Sequence, residues 1–128
     1  MKIRVYYEDT DAIGIVYHAN YFKFCDRARS ELFFETDIDM KLEKGALVIK
    51  SINANFIKPA YLGDMLELGG YISSLKRSSV VASQTIDVEG VKIFEMDIRL
   101  VYVENGRPAI MPDHYYNLFH QNMKEIEK

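Results

Sequence analysis

Alternation of apolar and other side chains with a period of two residues runs through the second half of the chain and limits what it can fold into. The strongest run covers residues 94–102, where every second side chain is apolar. Similar runs cover residues 52–56, 66–72 and 80–88. A two-residue period puts alternate side chains on opposite faces of a strand, so each run predicts a β-strand. The turn signals Glu89-Gly90 and Asn105-Gly106 bound the strongest run.

The segment that follows residue 17 has the period of a helix instead. Its apolar residues recur at steps of three and four: Tyr21, Phe24, Cys25, Ala28 and Leu32. This spacing predicts an amphipathic helix that begins at about His18 or Asn20 and buries one stripe of side chains.

Shorter signals complete the order of elements. Residues 2–7 predict a first strand, and residues 37–45 predict a polar connection. Pro112 is placed to open a C-terminal helix, which carries Tyr116, Phe119 and Met123. Runs of adjacent strands favour an antiparallel sheet. We therefore predict an α+β fold in which one long central helix lies across one face of an antiparallel sheet.

Length and composition predict one domain that spans residues 1–128. The chain has 128 residues, 48% of them hydrophobic, which is enough for one core. The predicted last strand, residues 92–103, is long and apolar on one face. An uncovered edge of that kind promotes aggregation, so we expect a second copy of the chain to bury it.

Charge and cysteine content exclude several classes of protein. The net charge of −3 argues against general affinity for nucleic acid. Cys25 is the single cysteine, so no intramolecular disulfide can form. The N-terminal residues lack the pattern of a signal peptide, and no apolar run approaches the length of a membrane span. A cytoplasmic location is therefore expected.

The connection between the first strand and the long helix carries residues that are suited to catalysis. It contains Asp9, Asp11 and Gly14 and ends at His18. A helix N-terminus presents unpaired backbone N–H groups and the positive end of the helix dipole. It can polarise a carbonyl group while a nearby carboxylate attacks that group or activates water.

The run DTDAIGIVYHANY at residues 9–21, with ARSE at residues 28–31, resembles the hotdog-fold acyl-CoA thioesterases of the 4-hydroxybenzoyl-CoA thioesterase and YbgC type. The likeness continues through SINANFIKPA at 51–60, Asp64, the Lys76-Arg77 pair and RPAIMP at 107–112. The chain is more similar to the YbgC branch than to the hydroxybenzoyl branch, which carries Pro where Ala19 stands. The resemblance implies a hotdog fold, with the sheet wrapped around the central helix, and hydrolysis of acyl-CoA thioesters.

The resemblance implies a catalytic role for Asp11 and His18. The Asp11 carboxylate either attacks the thioester carbonyl or activates water, and the sequence leaves both routes open. The backbone N–H of His18 contacts the oxyanion, and its imidazole could assist near neutral pH. Taken alone, an acid in a loop is as typical of a turn or a helix cap. Asp9 is expected to brace the loop by local hydrogen bonds.

Three further residues are candidates for the substrate-binding pocket. Gly14 would permit a positive φ or a close approach of substrate. Tyr17 and Tyr21 are expected to line or support the pocket, although aromatic residues at the start of a buried stripe are also typical of a core.

Basic residues are the candidates for binding coenzyme A, which enters as part of the substrate. Lys76, Arg77 and Ser78 lie at a predicted strand junction, and their position in the family suggests contact with the phosphates. A basic pair at a turn can also serve only to solvate it. Lys58 is a weaker second candidate. No metal is predicted, because the three histidines lack the spacing of metal ligands.

Other functional classes stay open beside the thioesterase. A hotdog dehydratase is one, although its relatives use a different arrangement of His and acid. A non-catalytic module that binds acyl-CoA or acyl carrier protein is another. The resemblance also implies a homodimer or a homotetramer.

Overall fold

The computed structural model describes residues 1–36 and 44–123. This part of the chain contains six strands and two α-helices. In chain order they are β1 (Lys2–Arg4), α1 (His18–Phe34), β2 (Gly45–Phe56), β3 (Met65–Leu75), β4 (Ser79–Val88), β5 (Val91–Glu104), β6 (Arg107–Pro108) and α2 (Asp113–Gln121). A single 3-10 turn covers Tyr7–Asp9.

The strands form one sheet with the order β1-β3-β4-β5-β2, and β6 pairs with β5. β1 runs antiparallel to β3, with Ile3 opposite Leu66, and β6 runs antiparallel to β5. The consecutive strands β3, β4 and β5 are neighbours, as expected when connections are short. The predicted α+β arrangement with an antiparallel sheet is confirmed.

Two turns predicted from sequence have the backbone that they require. Glu89 and Gly90, between β4 and β5, have φ values of 50° and 79°. Asn105 and Gly106, between β5 and β6, have φ values of 52° and 75°. Two successive positive φ angles match the twist of antiparallel strands in tight hairpins. The start of α1 at His18 also agrees with the prediction.

Several predicted boundaries are wrong. The first strand ends at Arg4, because the chain turns into the 3-10 turn at Tyr7. β2 begins at Gly45, earlier than the alternation indicated, and residues 37–43 of the predicted polar connection lie outside the described residues. β6 was not predicted, since two residues cannot show a period.

The position of the uncovered sheet edge corrects another prediction. β5 contains the segment that we expected at an edge, but it lies between β4 and β2. β2 lies at the end of the strand order instead, and most of its residues are exposed. Its exposed apolar side chains are Val48, Ile49, Ile52 and Phe56.

The chain divides into two compact units, and each is described by itself. The first unit contains Met1–Glu31, Ala54–Gly69 and Gln84–Met96. Its core is aromatic: the Tyr21 ring stacks on Phe94 with centroids 5.0 Å apart, and Phe22 and Phe56 meet Phe94 edge-on. Tyr21, Phe24 and Cys25 of the predicted α1 stripe are buried, whereas Ala28 is half-buried.

The second unit contains the described residues of Leu32–Asn53, Gly70–Ser83 and Asp97–Lys128. Phe33 of α1 packs on Tyr115 and Phe119 of α2, with ring centroids 5.1 and 6.0 Å away. The buried face of α2 consists of Tyr115, Leu118 and Phe119. Tyr116 and Phe119 both lie in α2, as predicted; Phe119 is buried and Tyr116 is half-buried.

Met123 lies beyond the end of α2, where it forms an isolated bridge with Ile72. The predicted C-terminal helix is thus confirmed but ends at Gln121. No helix in the described ranges is long and apolar enough to cross a membrane.

Candidate active site

Asp11 lies at the base of a tight loop that joins the first strand region to α1. Thr10 and Val16 form an antiparallel bridge, and the Asp11 N–H donates to the Ile15 carbonyl at 2.9 Å. The Gly14 N–H donates back to the Asp11 carbonyl at 3.1 Å, and Gly14 has a φ of 88°. A side chain at Gly14 would meet no neighbouring atom within 4 Å, so the turn requires glycine for its φ angle rather than for space.

One oxygen of the Asp11 carboxylate is fixed and the other is open. Oδ1 accepts a hydrogen bond from the Ile13 N–H at 2.8 Å, which is the local contact typical of Asp in a turn. The side chain is half-buried. Across residues 1–36 and 44–123, no second donor approaches this carboxylate, so Oδ2 can accept a proton or attack a substrate.

Asp9 ties both ends of this loop together. Its Oδ2 accepts from the Tyr6 N–H at 2.9 Å. Its carbonyl accepts from the Tyr17 N–H at 3.0 Å and from the Asn20 side-chain amide at 2.9 Å. The prediction that Asp9 braces the loop is confirmed.

His18 is the first residue of α1, so its backbone N–H belongs to the unpaired first turn. The Tyr17 carbonyl accepts from the Asn20 N–H at 2.9 Å. Within the described part of the chain, the N–H groups of His18 and Ala19 have no acceptor. The exposed imidazole contacts the rings of Tyr17 and Phe56, at centroid distances of 4.5 and 6.5 Å. These features leave a backbone donor available at the helix start.

The loop after β2 packs beside the Asp11 loop and carries Lys58. The Val16 N–H donates to the Ala60 carbonyl at 2.9 Å, and Ile15 forms a bridge with Tyr61. The Lys58 N–H donates to the Ile93 carbonyl at 3.1 Å, while its side chain is exposed. Lys58 therefore lies in the same compact unit as Asp11 and His18.

The two predicted pocket tyrosines have different surroundings. Tyr21 is buried, and its hydroxyl accepts a hydrogen bond from the Ala60 N–H at 3.1 Å. Burial raises the pKa of Tyr21, the Ala60 hydrogen bond lowers it, and the Asp64 charge raises it further. Tyr21 thus supports the two loops from the core. Tyr17, just before α1, is 48% exposed, whereas Tyr21 is 4% exposed.

Lys76, Arg77 and Ser78 form the turn between β3 and β4, in the second compact unit. Lys76 and Arg77 are exposed, and Ser78 is half-buried. The Ser78 carbonyl accepts from the Tyr102 N–H at 2.9 Å. The basic pair is thus presented to solvent on an anchored turn.

A buried polar network beneath α1 was not predicted. Gln84 of β4 is 5% exposed; its Nε2 donates to the Cys25 carbonyl at 2.9 Å, and its Oε1 accepts from Arg29 at 2.8 Å. Arg29 also pairs with Asp26 at 3.0 Å. Burial lowers the pKa of Arg29, and the Asp26 charge raises it. The available signal was a glutamine at an inward position of an apolar alternation.

No three His, Cys, Asp or Glu side chains in the described ranges converge as metal ligands would. The chemically useful groups described above are the Asp11 carboxylate and the unpaired N–H groups at the start of α1. Residues 13–94 match the model of the thioesterase superfamily. The chain belongs to the thioesterase superfamily.

Relatives of this thioesterase superfamily member are similar to it in sequence over most of its length. An acyl-CoA thioesterase YbgC from Helicobacter pylori is 43% identical over 115 residues, which cover 83% of this chain and 86% of the relative. An acyl-CoA thioester hydrolase YbgC from Escherichia coli O157:H7 is 36% identical, with 86% and 87% covered. The chain is a thioester hydrolase.

Solved structures confirm the hotdog fold for this superfamily member. A probable thioesterase from Bartonella henselae has a TM-score of 0.80 and 29% identity, and the match covers 88% of this chain and 97% of the other. A 1,4-dihydroxy-2-naphthoyl-CoA thioesterase from Synechocystis has a TM-score of 0.86 at 18% identity, with 94% and 93% covered. The predicted family and fold are therefore both confirmed.

Proposed function

We propose that this protein hydrolyses acyl-CoA thioesters to a free acid and coenzyme A, with Asp11 as the catalytic carboxylate. The observation that carries the proposal is the half-fixed Asp11 carboxylate in a loop that leads directly to the start of α1. The names of the YbgC relatives supply the substrate class.

The proposed chemistry uses Asp11 in one of two ways. In the first, Oδ2 attacks the thioester carbonyl, the C–S bond breaks, the CoA thiolate leaves, and water then hydrolyses the mixed anhydride. In the second, Asp11 removes a proton from water, which attacks the same carbonyl and expels the thiolate. In both routes the negative charge on the carbonyl oxygen requires a donor.

The backbone N–H of His18 is the proposed donor to that oxyanion. It is unpaired within the described residues, and it lies at the positive end of the α1 dipole. Gly14 allows the turn that holds Asp11, and Tyr17 is the proposed contact with the acyl group. Tyr21 is buried and supports the loop that contains Ala60, because its hydroxyl accepts a hydrogen bond from the Ala60 N–H.

Coenzyme A binding is assigned to the basic residues. We propose that Lys76, Arg77 and Ser78 contact its phosphates and that Lys58 adds charge beside the Asp11 loop. An acidic protein needs such local positive sites to hold an anionic ligand. The chemistry requires no metal and no cofactor beyond the CoA of the substrate.

We also propose a homodimer formed through β2, with a tetramer as the larger alternative. β2 ends the strand order, has twelve residues and exposes four large apolar side chains. A long apolar edge strand is a template for pairing with another chain. A cytoplasmic location completes the proposal, because the chain has one cysteine and needs no oxidising compartment.

The test is thiol release from short-chain, aromatic and long-chain acyl-CoAs by the wild type and by Asp11→Asn. We expect release from at least one class, and a loss of roughly 10²–10⁴-fold in kcat for the variant. Asp113→Asn, an exposed acid at the start of α2, is the matched control and should retain activity.

Activity that survives Asp11→Asn would contradict the role of Asp11. Saturable acyl-CoA binding without turnover would favour the binding module instead, and turnover restricted to acyl carrier protein would change the carrier but not the reaction.

A further inference from the structure

Arg77 is held by an aromatic ring of α2. Its guanidinium carbon lies 4.2 Å from the centroid of the Tyr116 ring, well inside the range of cation–π contacts. The Tyr116 ring in turn stacks on His120, with centroids 6.4 Å apart and planes 20° apart. Arg77 therefore has a preferred position although it is exposed.

The backbone beneath this contact is fixed on three sides. The Lys76 N–H donates to the Ser79 carbonyl at 2.8 Å, which closes the turn. The Arg77 carbonyl accepts from the N–H of Met111 at 2.9 Å, and Met111 is buried just before α2. The Ser78 carbonyl is bound by β5, as described above. The turn and the helix that carries Tyr116 are thus joined by backbone hydrogen bonds as well as by the ring.

The donors of Arg77 remain unused. The guanidinium carbon lies over the Tyr116 ring, and a guanidinium carries five N–H donors in its plane. In residues 1–36 and 44–123, no carboxylate pairs with Arg77 and no oxygen accepts from its side chain. The Tyr116 hydroxyl has no hydrogen-bond partner in these ranges either, so the ring and not the hydroxyl makes the contact.

We propose that Tyr116 is a positioning residue that holds the Arg77 guanidinium in place for the phosphate groups of coenzyme A. This inference rests on the proposed function, in which Arg77 contacts those phosphates. Tyr116 does not touch the reacting atoms and acts through Arg77 alone. An arginine that an aromatic ring already holds loses less rotational freedom when it binds a phosphate, and this lowers KM without changing the chemical step.

The test compares Tyr116→Leu and Tyr116→Phe with the wild type on three carriers of the same acyl group. The carriers are CoA, 3′-dephospho-CoA and pantetheine, which lacks the 3′-phosphate, the diphosphate and the adenosine. We expect Tyr116→Leu to raise KM for acyl-CoA by roughly five-fold, with kcat unchanged and with no effect on acyl-pantetheine. Tyr116→Phe should behave as the wild type.

The dephospho-CoA arm identifies the phosphate. An effect that persists with this carrier assigns Arg77 to the diphosphate, and an effect that disappears assigns it to the 3′-phosphate. Both results support the proposal. Equal losses on acyl-CoA and acyl-pantetheine, or an unchanged KM for acyl-CoA, would overturn it.

A double-mutant cycle tests whether Tyr116 acts through Arg77. Arg77→Gln should raise KM for acyl-CoA, and Tyr116→Leu should add nothing in that background. Lys76→Gln is the matched control, because it removes the neighbouring charge and should combine independently with Tyr116→Leu. If Tyr116→Leu does not fold, Arg77→Lys tests the same contact, since lysine keeps the charge but has no plane to stack; a wild-type KM in that variant would refute the proposal.

The positioning role can be tested even if the proposed hydrolysis of acyl-CoA is not observed. If the wild type hydrolyses no acyl-CoA, calorimetric titration with free CoA still measures the contact. Weaker binding by Tyr116→Leu than by Tyr116→Phe supports the positioning role, whereas a wild type that binds no CoA overturns it.

Discussion

Residues of the first compact unit differ in the hydrogen bonds that their polar groups make. Asp9 accepts hydrogen bonds that join the two ends of the loop, and Tyr21 accepts one from Ala60, whereas the Asp11 carboxylate accepts, among the described residues, only from Ile13 within its own turn. At His18 we expect the backbone to matter more than the imidazole, because the proposed oxyanion contact is the N–H at the unpaired start of α1.

Two substitutions at His18 separate the contribution of its backbone N–H from that of its imidazole. His18→Ala keeps the N–H, so we expect it to lower kcat by less than ten-fold, and by less than Asp11→Asn does. His18→Pro removes the N–H at a position where helices tolerate proline, so we expect a loss of roughly 10²–10³-fold. Steady-state kinetics on the best acyl-CoA, with helix content measured by circular dichroism, provides the comparison.

A larger loss in His18→Ala than in Asp11→Asn would reverse the ranking. Equal activity of His18→Pro and His18→Ala would remove the oxyanion role from the backbone.

Ionisation of Cys25 is expected to lower the folding stability at alkaline pH. Burial raises the pKa of the Cys25 thiol to about 11, although the charge of Arg29 lowers it in part. In the unfolded chain the thiol ionises near pH 8.5. Stability from this group is therefore complete below about pH 8.5 and is lost as the pH rises toward 11, by about 3 kcal/mol in total.

Chemical denaturation of the wild type and Cys25→Ala between pH 7 and 11 measures this loss. Tyr21 also has a raised pKa but is present in both proteins, so the difference between the two curves isolates the thiol. Parallel curves would show that Cys25 ionises as readily in the folded protein as in the unfolded chain.

At the scale of elements, the loop that carries Asp11 depends on one positive φ angle. Gly14→Ala places a side chain at a φ of 88°, which costs about 1–2 kcal/mol even though the space is open. Because relief of this strain moves the Asp11 loop, we expect the variant to lose both stability and kcat.

Gly90→Ala provides the matched control. Gly90 has a φ of 79° and equally open surroundings, but it lies in the β4–β5 turn. We expect a similar loss of unfolding free energy with unchanged kcat. An equal loss of kcat in both variants would indicate general destabilisation and contradict a specific effect on Asp11.

The elements show how far periodicity predicts structure. Alternation identified β3, β4 and β5 because it reports which face of a strand is buried. It does not report which strand lies next to which, and for this reason β5 was wrongly predicted to be an edge. For α2 the sequence predicted the helix but not its buried face, because Tyr115 and Tyr116 are adjacent and chemically alike. In the structure Tyr115 packs on Phe33, whereas Tyr116 contacts Arg77.

At the scale of the whole molecule, the exposed strand β2 leads to a prediction about assembly. Ile49 is 58% exposed on this strand. If β2 forms the interface, Ile49→Asp places an uncompensated charge within it, and we expect dimer dissociation to increase by roughly a hundred-fold. Sedimentation equilibrium measures this change.

Ile110→Asp is the control for this substitution. Ile110 is 70% exposed and lies outside β2, so its variant should assemble as the wild type does. Dissociation caused by Ile110→Asp but not by Ile49→Asp would place the interface elsewhere on the chain.

The candidate site could be predicted from sequence where its residues are close along the chain. Asp11 and Gly14 lie in one short loop and His18 begins the helix that follows it, so the turn and the helix start can be recognised from the order of residues. The contact of Arg77 with Tyr116 and that of Gln84 with Arg29 join distant segments, so they depend on the register of the sheet and on the placement of the helices.

The three hydrogen bonds that Asp9 accepts have a consequence for the thermodynamics of substrate capture. They order the connection between β1 and α1 while the protein folds, so the loss of backbone entropy falls on folding and not on association. The loop at the proposed site is therefore already ordered before substrate binds. We expect the entropy change of binding to reflect mainly the water released from the acyl chain, because little loop ordering remains to oppose it.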